Sequence, residues 1–182
     1  MRKIGLSADE LVAALLYLSE EETVCLLESC GVRHLGSHLL IAGINPKEIR
    51  EVTNDDPNQT LAFLDEKLSG EQAAIFTLSY DFGLKLESIP SNHKTLEPDV
   101  FLALFDCLIV HDYDSGETYI TGDQTGFAAI EAKLRDVTFA ESQSVAKAAF
   151  ATSNFTKNTY LSAVEKIKEL IRCGNTYQTN LT

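Results

Sequence analysis

Hydrophobic residues recur at helical spacing in several segments of the chain, and each such segment predicts an amphipathic helix. These segments are residues 8–18, 57–68, 126–134 and 156–173. Ser7 and Glu10 stand in the positions of a capping box at the start of the first, and Asp55-Asp56-Pro57 is typical of the start of the second. The last helix has the longest apolar stripe and is expected to end at Gly174.

Short apolar or β-branched runs between these helices predict strands. The runs are residues 23–29, 39–43, 49–53, 73–79 and 101–111, and a helical turn is expected at 82–86. After the last run, Asp114-Ser115-Gly116 predicts a turn and residues 118–121 a return strand, which makes this the clearest hairpin in the chain. Residues 176–182 alternate in polarity and predict a further strand, with no partner after it in the sequence. The mixture of elements predicts an α+β fold.

Charge and composition exclude several classes of protein. The 182-residue chain has a formal net charge of −12, whereas binding to a nucleic-acid backbone requires clustered lysine and arginine. No apolar run approaches the roughly 20 residues that a membrane span needs. The basic Met1-Arg2-Lys3-Ile4 is followed by Ser7-Ala8-Asp9-Glu10 and not by an apolar signal core, so a cytoplasmic protein is expected.

The cysteines carry one pattern that could bind a metal. Cys25, Cys30, His34 and His38 offer the ligand types that zinc uses. A zinc finger, however, usually separates its cysteine and histidine pairs by about a dozen residues. The segment is better explained as two paired strands, and its cysteines as reduced, partly buried thiols.

Several groups of residues resemble, in the same order, the sequence motifs of the chorismate-utilising enzymes. They are Leu26-Leu27-Glu28-Ser29 followed by Ser37 and Asn45-Pro46, residues 74–87, Pro98-Asp99 with Leu104-Phe105-Asp106, and Ser153–Thr156 with Ile171–Thr182. This family includes component I of anthranilate synthase and of aminodeoxychorismate synthase, isochorismate synthase and salicylate synthase. The Y-Q-x-N-L-T motif of residues 177–182 is closer to the aminodeoxychorismate synthase component I branch than to anthranilate synthases, which more often have F-Q-V-V-L-S.

The resemblance implies an α+β fold that forms the N-terminal part of the layered β-sandwich of these enzymes. Residues 1–140 would be the N-terminal domain, 141–152 a linker, and 153–182 the start of the chorismate-binding domain, truncated early. The parent reaction would replace the 4-hydroxyl of chorismate with ammonia from a glutamine amidotransferase subunit, on the way to 4-aminobenzoate and folate. The family's Mg²⁺ would be held by glutamates beyond residue 182, so no metal ligand is expected in this chain, which would be inactive alone.

Site residues follow from the same resemblance. Gln178 matches the position that faces chorismate, where an amide can orient ammonia because ammonia, unlike water, needs no general base. Glu28, Ser29 and Ser37 match positions that line a tryptophan pocket, where a carboxylate and hydroxyls can hold the ammonium and carboxylate of an amino acid. His111 shows no partner pattern and receives no role.

Other interpretations remain open from the sequence. One is a fragment of anthranilate synthase component I, which acts in tryptophan biosynthesis. Another is a non-catalytic module that binds an aromatic amino acid, and a third is a truncated gene product without a role. The apolar stripe through Tyr160, Ile167 and Ile171 predicts that the chain exposes apolar surface and self-associates or is marginally stable.

Overall fold

A computed structural model of the chain describes residues 1–30, 32, 38–90, 97–138 and 152–181. Helices and strands are mixed along the sequence, so the fold is α+β, as predicted. The chain divides into two compact units, Met1–Ser142 and Gln143–Thr182. No helix in the described part of the chain is long and apolar enough to cross a bilayer.

The first unit contains all the strands that the structure describes. They are β1 Arg2–Ile4, β2 Val24–Glu28, β3 Leu39–Ile44, β4 Glu48–Val52, β5 Ala73–Leu78, β6 Val100–Phe105, β7 Cys107–Asp112 and β8 Glu117–Gly122. Its helices are α1 Ala8–Leu18, α2 Pro57–Leu68, α3 Tyr80–Leu86 and α4 Phe127–Thr138, with a 3-10 turn at Gln124–Gly126. The second unit contains α5, Lys157–Arg172.

The strands form two antiparallel sheets. The large sheet has the order β1-β8-β7-β3-β2, and the small sheet has the order β4-β6-β5. One face of the large sheet packs against α1 and α4, where Leu11 and Leu15 of α1 join Leu40 and Ile109 of the sheet in one buried cluster. The capping box predicted for α1 is present, with Ser7 accepting from the Glu10 N–H and Glu10 accepting from the Ser7 N–H.

The central strand of the small sheet, β6, is buried on both faces by different partners. On one face, Leu102 and Leu104 of β6 pack against Leu64 of α2. On the other, Phe105 packs with residues of the large sheet, including Leu108. Gly43 of β3 permits this contact, because a Cβ there would lie 2.5 Å from the Phe105 ring.

The apolar run at residues 101–111 was predicted as one strand, and that prediction is wrong. The run is two strands in different sheets, β6 and β7, separated by Asp106 alone. The Asp106 carbonyl accepts from the N–H of Asp123 at 2.8 Å. Gly122, at φ +112, lies so close that a Cβ would be 2.1 Å from the same carbonyl oxygen, so only glycine fits there. The predicted hairpin with the return strand is confirmed as β7–β8.

Two further differences concern the ends of the chain. β1, which pairs with β8, was not predicted, because a three-residue strand has no detectable period. The strand predicted at residues 176–182 is absent over the described residues 176–181, which have no ladder partner. In the second unit α5 is capped by Thr156 as expected; its Tyr160 and Ile171 are exposed. Most of the predicted linker lies outside the described residues.

Lys85 and Asp99 join two motifs that the sequence analysis treated separately. The Lys85 ammonium donates to both carboxylate oxygens of Asp99, at 2.8 and 2.9 Å, and to the Asn54 carbonyl at 2.9 Å. The Asn54 N–H donates to Asp99 at 3.0 Å, and its side chain donates to the buried Thr60 hydroxyl at 3.0 Å. Since each of these polar groups has a partner, the network is structural and holds α3 to the start of β6.

Candidate functional site

Glu28 lies at the end of β2, in a row of side chains that crosses the large sheet. It is opposite Leu40 of β3, which is opposite His111 of β7. His111 is in turn opposite Thr118 of β8. Directly opposed residues of antiparallel strands point to the same face, so the row lies on the face that α1 covers. Three polar side chains therefore share one row of an otherwise apolar face.

Tyr113 contacts this row from the residue that follows β7. Its hydroxyl donates a hydrogen bond to carboxylate oxygen Oε1 of Glu28. Its ring stacks on His38, with the centroids 5.0 Å apart, and meets the ring of His111 edge-on at 4.8 Å. Its backbone N–H donates to the His38 carbonyl at 3.1 Å. Two imidazole rings and a carboxylate thus contact one phenol.

The electrostatic surroundings keep the Tyr113 phenol protonated. Burial raises the pKa of Tyr113 to about 12, with the hydrogen bond and charge of Glu28 as the next causes. Cys30 and Asp9 act in the same direction. Tyr113 is therefore the donor and Glu28 the acceptor throughout the neutral range.

Hydrogen bonds determine which nitrogen of His111 carries the proton in its neutral form. The Thr118 hydroxyl has one hydrogen, which it donates to the carbonyl of Leu6. The contact of 2.7 Å between His111 Nδ1 and Thr118 Oγ1 must then be donated by Nδ1–H. This leaves Nε2 of the buried His111 as an acceptor.

Ser29 follows Glu28 and presents a polar atom that the described residues do not satisfy. Its Oγ is buried and has no hydrogen-bond partner among them, although its N–H donates to the Leu39 carbonyl at 3.2 Å. A buried hydroxyl without a partner is costly, and a polar ligand atom would satisfy it. Ser37, the third residue predicted for this pocket, lies outside the described residues.

The cluster suits binding better than chemistry. It offers a carboxylate that accepts and aromatic surface from Tyr113 and His38, and the residue after Glu28 contributes the hydroxyl of Ser29. Of the nearby cysteines, Cys25 packs against the small sheet on the opposite face, and Cys30 is exposed. Among the described residues no three or more His, Cys, Asp or Glu side chains converge as a metal site.

Gln178, the predicted ammonia-orienting residue, belongs to the second unit. It is exposed, in the segment that follows α5, and its backbone carbonyl accepts a hydrogen bond from the Thr176 hydroxyl at 2.9 Å. A groove of about 390 Å³ lies between α5 and this segment; it is lined by Tyr160, Val164, Ile167, Lys168, Thr179, Asn180 and Leu181. Gln178 is not among these lining residues, and in this arrangement its amide is not held by the groove.

A second cleft, of about 630 Å³, lies in the first unit near the connection between the two sheets. It is lined by Glu71, Gln72, Ala73, Asp106, Thr121, Gly122 and Asp123. Lys47, 2.9 Å from the Asp106 carboxylate, lowers the pKa of Asp106, and the Gln72 amide does so to a smaller extent. Asp123 accepts from the N–H and hydroxyl of Thr125. These carboxylates already have partners, so this cleft is not the stronger candidate.

Sequence reasoning missed His38, His111 and Tyr113 as part of the site. His111 was noted without a partner, because Thr118 and Tyr113 are placed beside it by the hairpin and not by sequence spacing. The signal that could have found them is the strand register. Once β7 and β8 are recognised as a hairpin, His111 and Thr118 must lie side by side.

Comparison with known proteins identifies a family that matches most of the chain and two curated proteins that are similar to it. A family described as chorismate binding enzyme matches residues 22–182. The chain is similar to aminodeoxychorismate synthase component 1 of Escherichia coli (strain K12), with 24% identity over 150 residues, 76% of this chain and 33% of that protein. It is also similar to the protein of that name from Bacillus subtilis (strain 168), with 30% identity over 128 residues, 60% of this chain and 26% of that protein. The chain thus matches about a third or less of the length of each relative.

Proposed function

Because the chain belongs to the family of chorismate-binding enzymes, we propose that it serves the amination of chorismate as part of an aminodeoxychorismate synthase component 1. Both curated relatives carry that name, and the wording of residues 177–182 supports the same branch. The reaction would replace the 4-hydroxyl of chorismate with ammonia to give 4-amino-4-deoxychorismate. A glutamine amidotransferase partner would supply the ammonia, in the cytoplasm. The first unit would then form part of the layered β-sandwich of these enzymes.

The role of the first unit in this proposal is to bind an aromatic amino acid, tryptophan. The observation that carries it is the buried Ser29 hydroxyl, without a partner among the described residues, in the residue that follows Glu28. Glu28 would hold the α-ammonium, and Ser29 would donate to the α-carboxylate. Aromatic surface from His38 and Tyr113 would lie beside the indole ring. Ser37 stays a proposed member of the pocket.

Gln178 is proposed to orient ammonia toward chorismate, on the support of the family resemblance. An amide can do this by accepting a hydrogen bond from ammonia without removing a proton. Magnesium, which the family implies, does not fit the described residues of this chain, since they offer no converging set of three acidic, imidazole or thiol ligands. No step of the reaction is therefore assigned to a metal held by these residues.

A growth experiment tests the reaction. Deleting the gene for this chain in its host should produce a requirement for 4-aminobenzoate, which the wild-type gene relieves. A Gln178→Ala gene should relieve it less well than a Gln178→Asn gene, because only the latter retains an amide. Growth without 4-aminobenzoate would contradict the proposal. A requirement for tryptophan would instead indicate an anthranilate synthase component I.

A binding experiment tests the pocket separately. The chain contains no tryptophan residue, so the fluorescence of added L-tryptophan reports binding without a protein background. Saturable binding that is lost in the Glu28→Gln, Ser29→Ala double variant would support the site. Binding without any growth requirement would favour the second candidate, a non-catalytic amino-acid-binding module. Binding that persists unchanged in the folded double variant would place the ligand elsewhere.

A further inference from the structure

The group that would bind the ammonium of the ligand already has a hydrogen-bond partner within the chain. The Tyr113 hydroxyl donates to Oε1 of Glu28, the oxygen that a bound α-ammonium would also approach. We propose that Tyr113 is an internal latch on the amino-acid site, which closes the Glu28 carboxylate and is displaced by the ammonium of an incoming amino acid. This inference rests on the proposed amino-acid pocket and adds to it a residue that sets affinity and selectivity.

The phenol is held in the latching position by more than its contact with Glu28. Its ring stacks on His38 and packs edge-on against His111, at centroid distances of 5.0 and 4.8 Å. His111 is itself fixed by Thr118, at 2.7 Å. Because two neighbours orient the ring, its hydroxyl can bind Glu28 with little further loss of side-chain entropy. The Tyr113 hydroxyl therefore competes with the ammonium of a ligand for the Glu28 carboxylate.

The latch can open without disturbing the sheet. Tyr113 comes after the last ladder residue of β7, which ends at Asp112. It is the first residue of a tight turn that Gly116 completes at φ +68. Rotation of its side chain therefore breaks no hydrogen bond of the β7–β8 ladder. The side chain is also only partly buried, so the open position can reach solvent.

Displacement should select for ligands that carry a positive charge at the right place. An ammonium forms an ion pair with Glu28 that a neutral phenol cannot match, so L-tryptophan can open the latch. Indole-3-propionate has the same ring and carboxylate but no ammonium, and it has nothing to exchange for the phenol. The Tyr113–Glu28 contact thus adds discrimination against deaminated analogues. If such a ligand displaced the phenol, it would leave the Glu28 carboxylate without a partner.

The test measures binding of L-tryptophan to the full chain, wild type and Tyr113→Phe, by fluorescence of the ligand. The phenylalanine keeps the ring packing and removes the hydroxyl. We expect the dissociation constant to fall roughly 10-fold, which corresponds to about 1.4 kcal/mol. Tyr119→Phe is the matched control, since Tyr119 lies on β8 opposite Val110 on the other face of the large sheet, and it should leave the constant unchanged. Far-ultraviolet circular dichroism establishes that each variant is folded.

A second readout follows Tyr113 directly. At pH 7, where the ammonium of L-tryptophan keeps its charge, saturating L-tryptophan should shift the ring NMR signals of Tyr113 as the phenol leaves Glu28, and indole-3-propionate should not. Binding by Tyr113→Phe alone would also support the latch, as a site that is fully closed in the wild type. Weaker or unchanged binding by Tyr113→Phe, or no binding by either protein, would overturn it. The growth requirement for 4-aminobenzoate is independent of these outcomes, so failure of the latch and failure of the proposed reaction are distinguishable.

Discussion

Replacing Lys85 by methionine keeps the length of the side chain but removes the ammonium that faces Asp99. The Asp99 side chain is 4% exposed and that of Lys85 is 32% exposed. After the substitution, the buried carboxylate would keep one described partner, the Asn54 N–H. Removing one partner of a buried ion pair costs about 3–5 kcal/mol, and water reaching the partly exposed position of Lys85 should place the loss near about 3 kcal/mol.

Urea unfolding followed by far-ultraviolet circular dichroism measures this loss, since the chain has no tryptophan to follow by fluorescence. With an m value of about 2 kcal/mol per molar, a loss of about 3 kcal/mol lowers the midpoint by about 1.5 M urea. Lys3→Met is the matched control, because Lys3 and its partner Glu117 are 65% and 50% exposed. Its expected loss is below about 1 kcal/mol.

The origin of the loss can be separated by a rescue. Adding Asp99→Asn to Lys85→Met removes the unpaired charge and keeps an acceptor for the Asn54 N–H. The double variant should recover about 1–2 kcal/mol relative to Lys85→Met alone, because residues in contact are not additive. Equal losses for Lys85→Met and Lys3→Met would refute the reasoning. Strict additivity in the double variant would show that the buried charge is not the cause.

Three further predictions follow from single sites. In a spectrophotometric titration Tyr113 should ionise near its pKa of about 12, and at lower pH in Glu28→Gln, because burial and then the hydrogen bond and charge of Glu28 raise this pKa above its ordinary 10.0. Since the pKa is raised, the stability linked to the protonated phenol is fully present below about pH 10 and is lost as the pH rises toward 12. Gly43→Ala should lower the free energy of unfolding in urea by about 1–3 kcal/mol, because the added methyl group would lie 2.5 Å from the Phe105 ring. Gly5→Ala, whose methyl group would have nothing within 4 Å, is the control and should change this free energy little. Gly83 lies inside α3, and an added methyl group there would also have nothing within 4 Å. Gly83→Ala should therefore stabilise the fold by about 0.5–1 kcal/mol and raise the urea midpoint, and a lower midpoint would contradict this.

The helices illustrate what local signals can predict. The limits of α1 agree with the sequence prediction, because its capping box and its apolar period lie within the same short segment. The same holds for α2, where Asp56 caps the helix and Pro57 begins it. The family assignment, which depended on the order of short motifs along the chain, is also confirmed, because the chorismate binding enzyme family matches residues 22–182. The roles of Glu28 and Gln178 stay predictions.

Strand signals proved less complete, because an apolar run does not say which sheet each half joins. Residues 101–111 look continuous, but Asp106 divides them between the two sheets. Alternation at residues 176–182 predicted a strand, yet a strand needs a neighbouring edge for its N–H and C=O groups, and residues 176–181 have none.

The sequence alone therefore determined helices α1 and α2, their caps and the family, all of which depend on residues a few positions apart. Only the tertiary structure decided which side chains meet at the candidate site. Glu28 and Tyr113 are 85 positions apart, and the pairing of β2, β3 and β7 brings them into contact. Lys85 and Asp99 meet only because α3 packs beside the start of β6. Such contacts depend on strand register and packing, which no periodicity within one segment records.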